Sequence, residues 1–435
     1  MTALGTRAPA PSPERSSAAA NEAARVVEAL QPGMMGPRLS GLLGCADQAC
    51  HVLDAKYEPG LKGVFLYQLG HRLLRGDLVN SAGDGAESEV AAPGVRVSVF
   101  PHDPDLPSLP RVIDAGAVGP MLAESTGGSP LVRRALCRRP KTRLLRYRPA
   151  KRATVLVSTG LPGDAWVAKA YHDSAKAAAV ARDADQLATT AGSRTLRFAP
   201  VVAHLPELDV VVQQAVPGTP LDELLGSWRG RGPGLRAALT RAGEAVAELH
   251  EGSIAAARHR PVDKELARFV VRAQRVATVD PQLGDSLCEL AHRLQRGHRR
   301  LPDAPAGPVH GDCKPSQFLV DGPRMYLLDL DHCGVGDQAG DVGTFVASLR
   351  QLAVRQASAG SPAVSVELEV LGEVFVRSYL RRRGDTDLAA RIGWYEAVAL
   401  QRKALRSFAR SPLSGQPAAL VAEAHRCLDR WEGSA

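Results

Sequence analysis

The residues best suited to chemistry crowd into one stretch, VHGDCKPSQFLVDGPRMYLLDLDHCGVGDQAGDVG, from Val309 to Gly343. Asp312 follows a glycine on a loop that leads into the strand-like run QFLV. A turn at Asp321 and Gly322 sends the chain back as MYLLDL. Such a hairpin brings Gln317 and Asp329 close together, on the same side as the Asp312 loop. Two carboxylates and an amide converging in a cleft suit Mg²⁺, a hard cation that takes oxygen ligands and is usually shared with phosphates. One carboxylate can also accept the proton of an attacking hydroxyl. Phosphoryl transfer asks for little beyond this positioning and charge neutralisation.

The elements that must position these groups lie mostly upstream. The alternating run WVAKAY predicts a strand bearing Lys169. A helix is expected over Ser174 to Ala191, closed by Gly192. On it Asp183 shares a face with Val180 and Leu187, so its carboxylate points inward. Two short strands follow, near Val201 and in LDVVVQQAV, and Pro217 and Gly218 end them. From Leu221 onward the pattern is mainly helical, apart from the catalytic stretch. Strands with one helix, a linker and a large helical part predict a bilobal α+β architecture with a cleft at the linker.

In type and order these residues resemble the aminoglycoside phosphotransferase/choline kinase family, which has a protein-kinase-like fold. His310, Gly311 and Asp312 match its HGDxxxxN pattern, and Asp329 matches the aspartate of its (I/L)D pair. The resemblance implies that Asp312 orients the acceptor hydroxyl and takes its proton. It implies that Asp329 and Gln317, the latter in place of the usual Asn, hold Mg²⁺, and that Lys314 neutralises charge in the transition state. Lys169 would grip the α and β phosphates of ATP or GTP. Its helix partner would be Asp183 of RDADQL, in place of the usual Glu. Lys151 and Arg152, in the turn PAKRA, would add positive charge over the phosphates, and Gln214 to Val216 would lie beside the adenine. Asp337 and Asp341 match a later GDxxxD pattern and are read as structural. The resemblance covers about Leu144 to Gly343.

Departures from the pattern bear on function. Gln317 adds a methylene between backbone and metal, and Asp331 adds a second acid next to Asp329. Gly311 stands where protein kinases carry Arg, and no DFG or APE follows. The stretch from Asp329 to Asp341 is too short to dock a peptide strand, so a small-molecule acceptor is expected rather than a protein. A pseudokinase or regulator that binds nucleotide without turnover is the competing reading, and a scaffold is a weaker one. Each motif alone also occurs as an ordinary turn or surface charge; their joint order carries the reading.

The rest of the chain is less explicit. Expected boundaries are a disordered lead-in and short helix over 1–35, a cap subdomain over 36–140, a nucleotide-binding N-lobe over 141–216 and a helical C-lobe over 217–432. The cap is an analogy with maltokinase-like relatives. Before it Ala19 to Leu30 has helical spacing; within it His51 to Leu78 reads as strand, turn and strand, and Asn80 to Pro93 as a loop. YEPGLKGVFLYQLG from Tyr57 echoes YRPAKRATVLVSTG from Tyr147. Each copy reads as a hairpin leading to a third strand, which in the first copy would be the Val95 to Phe100 run. In the helical part, VFVRSYLRRR and WYEAVALQRKALRSFAR offer an Arg-rich acceptor side with Trp394 and Tyr395 to stack on a ring. Asp385, Asp387 and Glu396 are the acidic alternative.

The net charge is +8. The densest basic run, Arg133 to Arg152, contains no acid and lacks the interleaved aromatics of a single-strand binding surface. A solvated face or a phosphate-facing strand pair is expected there, with no nucleic-acid partner. A polycationic aminoglycoside suits so basic a chain poorly, so the charge leans toward a neutral sugar, a glycoside or an anionic metabolite as acceptor, with an aminoglycoside kept as the alternative. The seven cysteines form no Cys-x-x-Cys pair, so neither a disulfide framework nor a structural zinc is expected. No secretion signal or membrane span is found, which makes the cytoplasm the expected location.

Overall fold

A computed structural model of the chain describes residues 13–79, 90–91, 94–127, 129–138, 140–161, 163–190, 195–226, 233–252 and 258–434. The expected lead-in before residue 13, Gly192 and most of the 80–93 loop lie outside them. The chain divides into two compact units. The first is Met1–Phe100 with Phe269–Glu289 and Leu405–Ser414; the second is Pro101–Arg268, Leu290–Ala404 and Gly415–Ala435.

The first unit opens with helices α1 (Pro13–Ala29) and α2 (Pro32–Leu42), so the helix expected from Ala19 begins earlier. Strands β1 (Cys50–Glu58), β2 (Lys62–Leu69), β3 (Arg72–Leu78), β4 (Val90–Ala91) and β5 (Val95–Val99) form one sheet in the order β1-β2-β3-β5-β4. Tyr57, Phe65, Tyr67 and Leu69 are buried in it. The hydroxyls of Tyr57 and Tyr67 donate to Glu22 and to the Ala29 carbonyl, both at 2.9 Å, which ties α1 to the sheet. The hairpin expected from Tyr57 is present, but its third strand is β3, not the Val95 run. The turn at Gly70 (φ 57°) is short enough for β3 to pair with β2 at once, and β5 is added beyond it.

The second unit begins with α3 (Leu109–Ile113), α4 (Ala115–Ser125) and α5 (Pro130–Cys137). Strands β6 (Lys141–Arg148), β7 (Arg152–Ser158) and β8 (Ala165–Tyr171) follow, then helix α6 (Ser174–Thr190) and strands β9 (Leu196–Phe198), β10 (Val201–Leu205) and β11 (Val210–Gln214). An antiparallel sheet runs β10-β11-β8-β7-β6. Alternation gives it two different faces. Val155, Val157, Trp166, Ala168, Ala170, Val210 and Val212 pack against Val112, Val118, Leu122 and Leu136 of α3–α5. That shared core is why the chain from Pro101 onward groups with this sheet in the second unit. On the other face Tyr171 and Val211 pack on Ala177 and Val180 of α6, and the charged residues Arg152 and Lys169 lie on this side.

The helical part comprises β12 (Thr219–Pro220), α7 (Leu221–Gly226), α8 (Pro233–Glu251), α9 (Val262–Ala277) and α10 (Pro281–His298). Strands β13 (Gly307–Val309), β14 (Phe318–Asp321), β15 (Arg324–Leu327) and β16 (Gly334–Gly336) carry the catalytic stretch. Helices α11 (Ala339–Ser358), α12 (Pro362–Arg383), α13 (Thr386–Arg410) and α14 (Gln416–Ser434) complete the chain. β14 and β15 are the expected hairpin, with Phe318 opposite Leu327. Phe345 stacks on Phe375 at 3.7 Å between centroids and meets Phe318 edge-on, locking this hairpin to α11 and α12. Among the described residues no helix is long and apolar enough to cross a membrane.

Candidate active site

The catalytic loop hangs between β13 and β16, which pair through Val309 and Gly334. Buried Asp341, in the first turn of α11, accepts from the backbone N–H groups of His310 and Gly311 at 2.6 and 2.8 Å. His250 Nε2 lies 3.1 Å from the same carboxylate, and its Nδ1 lies 2.8 Å from the Tyr379 hydroxyl. Burial opposes the charged form of Asp341, but the bond to His250 and the charges of His250 and His310 outweigh it and lower its pKa. Asp337 caps α11 at the Ala339 N–H (3.0 Å) and pairs with Arg391. Both later aspartates therefore hold backbone. Gly311 has φ 75°, and a Cβ there would stand 2.2 Å from the His332 carbonyl oxygen, so only glycine fits. Asp312, next in the chain, is 8% exposed and pairs with Lys314 Nζ at 2.5 Å.

The hairpin brings Gln317 and Asp329 together as expected, with Gln317 Nε2 3.4 Å from Asp329 Oδ2. Asp329 takes the left-handed backbone (φ 61°, ψ 59°), which places its side chain back toward Gln317 and the strand sheet above. One amide and one carboxylate, with Asp331 beside them, fit Mg²⁺, which keeps water and phosphate ligands and does not require an all-protein cage. No group of three or more His, Cys, Asp or Glu able to hold a metal occurs among the described residues.

In this state Asp329 is engaged by cations of the N-lobe. Arg152 donates to Asp329 Oδ1 at 2.7 Å and to Oδ2 at 3.2 Å, and also to Asp331. Lys169 Nζ lies 3.6 Å from Asp329 and 3.9 Å from Asp331. Burial works against the Asp329 charge, but Lys169 and Arg152 hold its carboxyl well below the usual carboxylate range. Asp331 is 3% exposed, takes a bond of 2.9 Å from the Tyr171 hydroxyl and pairs with Lys176 at 3.5 Å. Lys151, Arg152, Tyr171, His172, Lys176 and Asp331 line a cavity of about 190 Å³.

The expected pair of Lys169 with Asp183 is not formed. Asp183 does point inward from α6 and is 1% exposed, but its partner is Arg258, with Nη2 2.5 Å from Oδ2. The shorter Asp side chain is met by an arginine from the segment before α9, while Lys169 turns to Asp329. Gln214 Nε2 donates to the carbonyls of Gly163 and Ala165 at 2.9 and 3.0 Å, fixing the chain that leads to half-buried Val216.

Four residues of this site escaped the sequence reading: Arg148, Tyr171, Arg258 and Arg260. Arg148 and Tyr171 stand directly across from Arg152 on either side, on the face that carries Lys169. Burial, with Arg146 and Arg152, lowers the Arg148 pKa to about 10, and Asp329 and Asp312 act in the opposite sense. Arg148 is thus within electrostatic reach of both acids. Its alternation with Arg152 was available in RYRPAKR; nothing local to Arg258 and Arg260 announces them.

On the acceptor side Trp394 and Tyr395 are corrected from ring-stacking platform to core. Trp394 is fully buried, donates to the Leu294 carbonyl at 3.2 Å and stacks on His298; Tyr395 is 7% exposed. They sit on the inner face of α13, where the helix must bury its apolar stripe. Glu396 pairs with Arg350, and Asp385 accepts from the Asp387 and Leu388 N–H groups. The cysteines are free; Cys50, Cys313, Cys333 and Cys427 are buried.

Residues 149–362 match the sequence model of the phosphotransferase enzyme family, APH. Among solved structures the chain is similar to the choline kinase of Cryptosporidium parvum, at 11% identity over 74% of this chain and 97% of that one, with a TM-score of 0.52. It is also similar to a choline/ethanolamine kinase family protein of Mesorhizobium loti (20% identity, 71% and 90% covered, TM-score 0.45). A third likeness is to a thermostable mutant of aminoglycoside phosphotransferase APH(4)-Ia in complex with ADP and hygromycin B (13% identity, 72% and 98% covered, TM-score 0.48). No curated protein matches the sequence. The Cryptosporidium likeness shows a kinase-like fold, and the catalytic stretch falls inside the matched segment. Residues 149–362 are thus the part of the chain that is similar to the phosphotransferase enzyme family.

Proposed function

We propose that this protein transfers the γ-phosphoryl group of ATP or GTP to a hydroxyl of a small molecule. The observation that carries the reading is the convergence of Gln317 and Asp329 under a strand face bearing Arg152 and Lys169, with Arg148 in reach of both Asp329 and Asp312. Phosphate oxygens entering there would meet guanidinium and ammonium groups already desolvated for them. Asp312 is the base: it orients the acceptor hydroxyl and takes its proton as the oxygen forms its bond to phosphorus. The bridging P–O bond breaks, and ADP or GDP leaves. Lys314, on Asp312, offsets negative charge on the transferring group. Gln317 and Asp329 are the residues that would hold Mg²⁺, which neutralises phosphate charge when bound. Only a 3-10 turn and β16 separate Asp329 from α11, which favours a small acceptor over a peptide.

Lys169→Ala is expected to weaken nucleotide binding by about 10- to 100-fold, the range for one lost charged hydrogen-bond partner. Titration of ADP with Mg²⁺ by calorimetry checks it, and an unchanged Kd would remove Lys169 from the phosphate site.

A second reading has one observation in its favour: Arg152 occupies the carboxylate that would take the metal. On that reading the chain binds nucleotide without turnover. An ATP-consumption screen with Mg²⁺ against sugars, sugar acids, aminoglycosides and amino alcohols separates the two. Acceptor-dependent ADP release is expected. ADP that binds with no acceptor ever stimulating release would favour the regulator.

A further inference from the structure

The surroundings of Asp312 away from the metal pair are basic. Arg260 packs on the residue before it: a Cβ at Gly311 would stand 3.1 Å from both Arg260 Cζ and Nε. Arg260 has no carboxylate within 4 Å among the described residues, and residues 253–257, just before it in sequence, carry no acid. The one side-chain hydrogen bond of Arg260 is to a ring nitrogen, His332 Nδ1 at 3.2 Å, and its buried Nε has no partner. His332 is held neutral beside it, since burial and then Arg260 push its pKa down to about 3. Arg402 lies close enough to feel Asp312 and Arg260, but it is satisfied by Glu265 at 2.5 and 2.9 Å.

A half-buried guanidinium whose acidic neighbour, Asp341, lies beyond ion-pair distance is costly to keep, and that cost is recovered when an anion arrives. A cationic acceptor placed at Asp312 would instead meet Arg260, Lys314 and Arg402. We infer that the acceptor carries an oxyanion, a carboxylate or a phosphate monoester, beside the hydroxyl that is phosphorylated, and that Arg260 receives it. This rests on Asp312 being the base. A guanidinium binds either oxyanion through two parallel N–H···O bonds, which would also fix the register of the neighbouring hydroxyl. Arg148, which also has no carboxylate within 4 Å among the described residues, is sensed by Asp329 as well as Asp312 and serves the donor phosphates.

The test uses the full-length chain with ATP and Mg²⁺ and matched acceptors: gluconate, glucose 6-phosphate, glucose and glucosamine. Turnover is expected with an anionic acceptor, and the first two distinguish carboxylate from phosphate. Arg260→Gln should raise the acceptor KM about 10- to 100-fold with a smaller change in kcat. Arg260→Lys should recover part of that loss. Preference for glucose or glucosamine, or an unchanged KM in Arg260→Gln, overturns the inference while leaving phosphotransfer intact. If no acceptor turns over, phosphotransfer is the reading at fault, and the oxyanion site is judged by binding. With ADP and Mg²⁺ present, gluconate or glucose 6-phosphate should then raise the Tm of the wild type and not of Arg260→Gln. Equal shifts, or none, overturn it.

Discussion

Asp312→Ala is expected to lower kcat by about 10²- to 10⁴-fold, the usual worth of a positioned general base, while the Kd for ADP with Mg²⁺ stays within about threefold. The separation follows from where its partners lie. Asp312 is tied to Lys314, outside the ion pairs that Arg152 and Lys169 make with Asp329 and Asp331, and its loop is held by Asp341 through the backbone of His310 and Gly311. Truncating the side chain therefore leaves the loop's supports intact. Single-turnover kinetics and calorimetry on the same preparation read the two quantities. Parallel loss of both would mean that Asp312 belongs to nucleotide binding and not to proton transfer. Asp312→Asn should be nearly as slow, since an amide keeps the shape and cannot accept the proton.

Asp331→Ala should cost about 3–5 kcal/mol of stability, as expected when one member of a buried ion cluster is removed. Asp331 is the more buried of the two acids, and Arg152, Lys169, Lys176 and the Tyr171 hydroxyl all address it. Without it, Asp329 alone faces those cations, and the Tyr171 hydroxyl loses its acceptor. Urea unfolding of the full chain measures the loss. The variant should also gain more Tm from ADP than the wild type does, because phosphates replace the missing charge. A loss below about 1 kcal/mol would place Asp331 among solvent-compensated surface acids.

The catalytic stretch was legible because its geometry is local. A hairpin of known turn residues puts Gln317 beside Asp329 whatever the rest of the chain does, and Gly311 is required by its own φ and by the His332 carbonyl. Strand alternation likewise marked the strand that bears Lys169, whereas Arg152, read as part of the PAKRA turn, in fact opens β7. What stayed hidden depended on distant segments. Asp183 was read correctly as inward-facing, but its partner comes from a segment far along the chain and is Arg258, so a kinase-like pairing rule selected the wrong cation. Trp394 and Tyr395 looked like a stacking platform because aromatics were scarce; only the packing of α13 shows that they fill the core. The packing of residues 109–137 was hidden for a similar reason. The helices of residues 109–137 are short and weakly marked, and their allegiance is set by Val155, Val157 and Trp166 across the sheet.

The left-handed backbone at Asp329 decides which substitutions there are informative. For most L-residues that conformation costs about 1–2 kcal/mol, and Asp, Asn and Gly bear it most readily. An alanine at 329 would thus remove a charge and penalise the peptide geometry at once. A glutamate would incur the same backbone cost and also overshoot Gln317. Asparagine keeps the local conformation and deletes only the charge, so it is the replacement from which the worth of that carboxylate can be read without a contribution from the main chain.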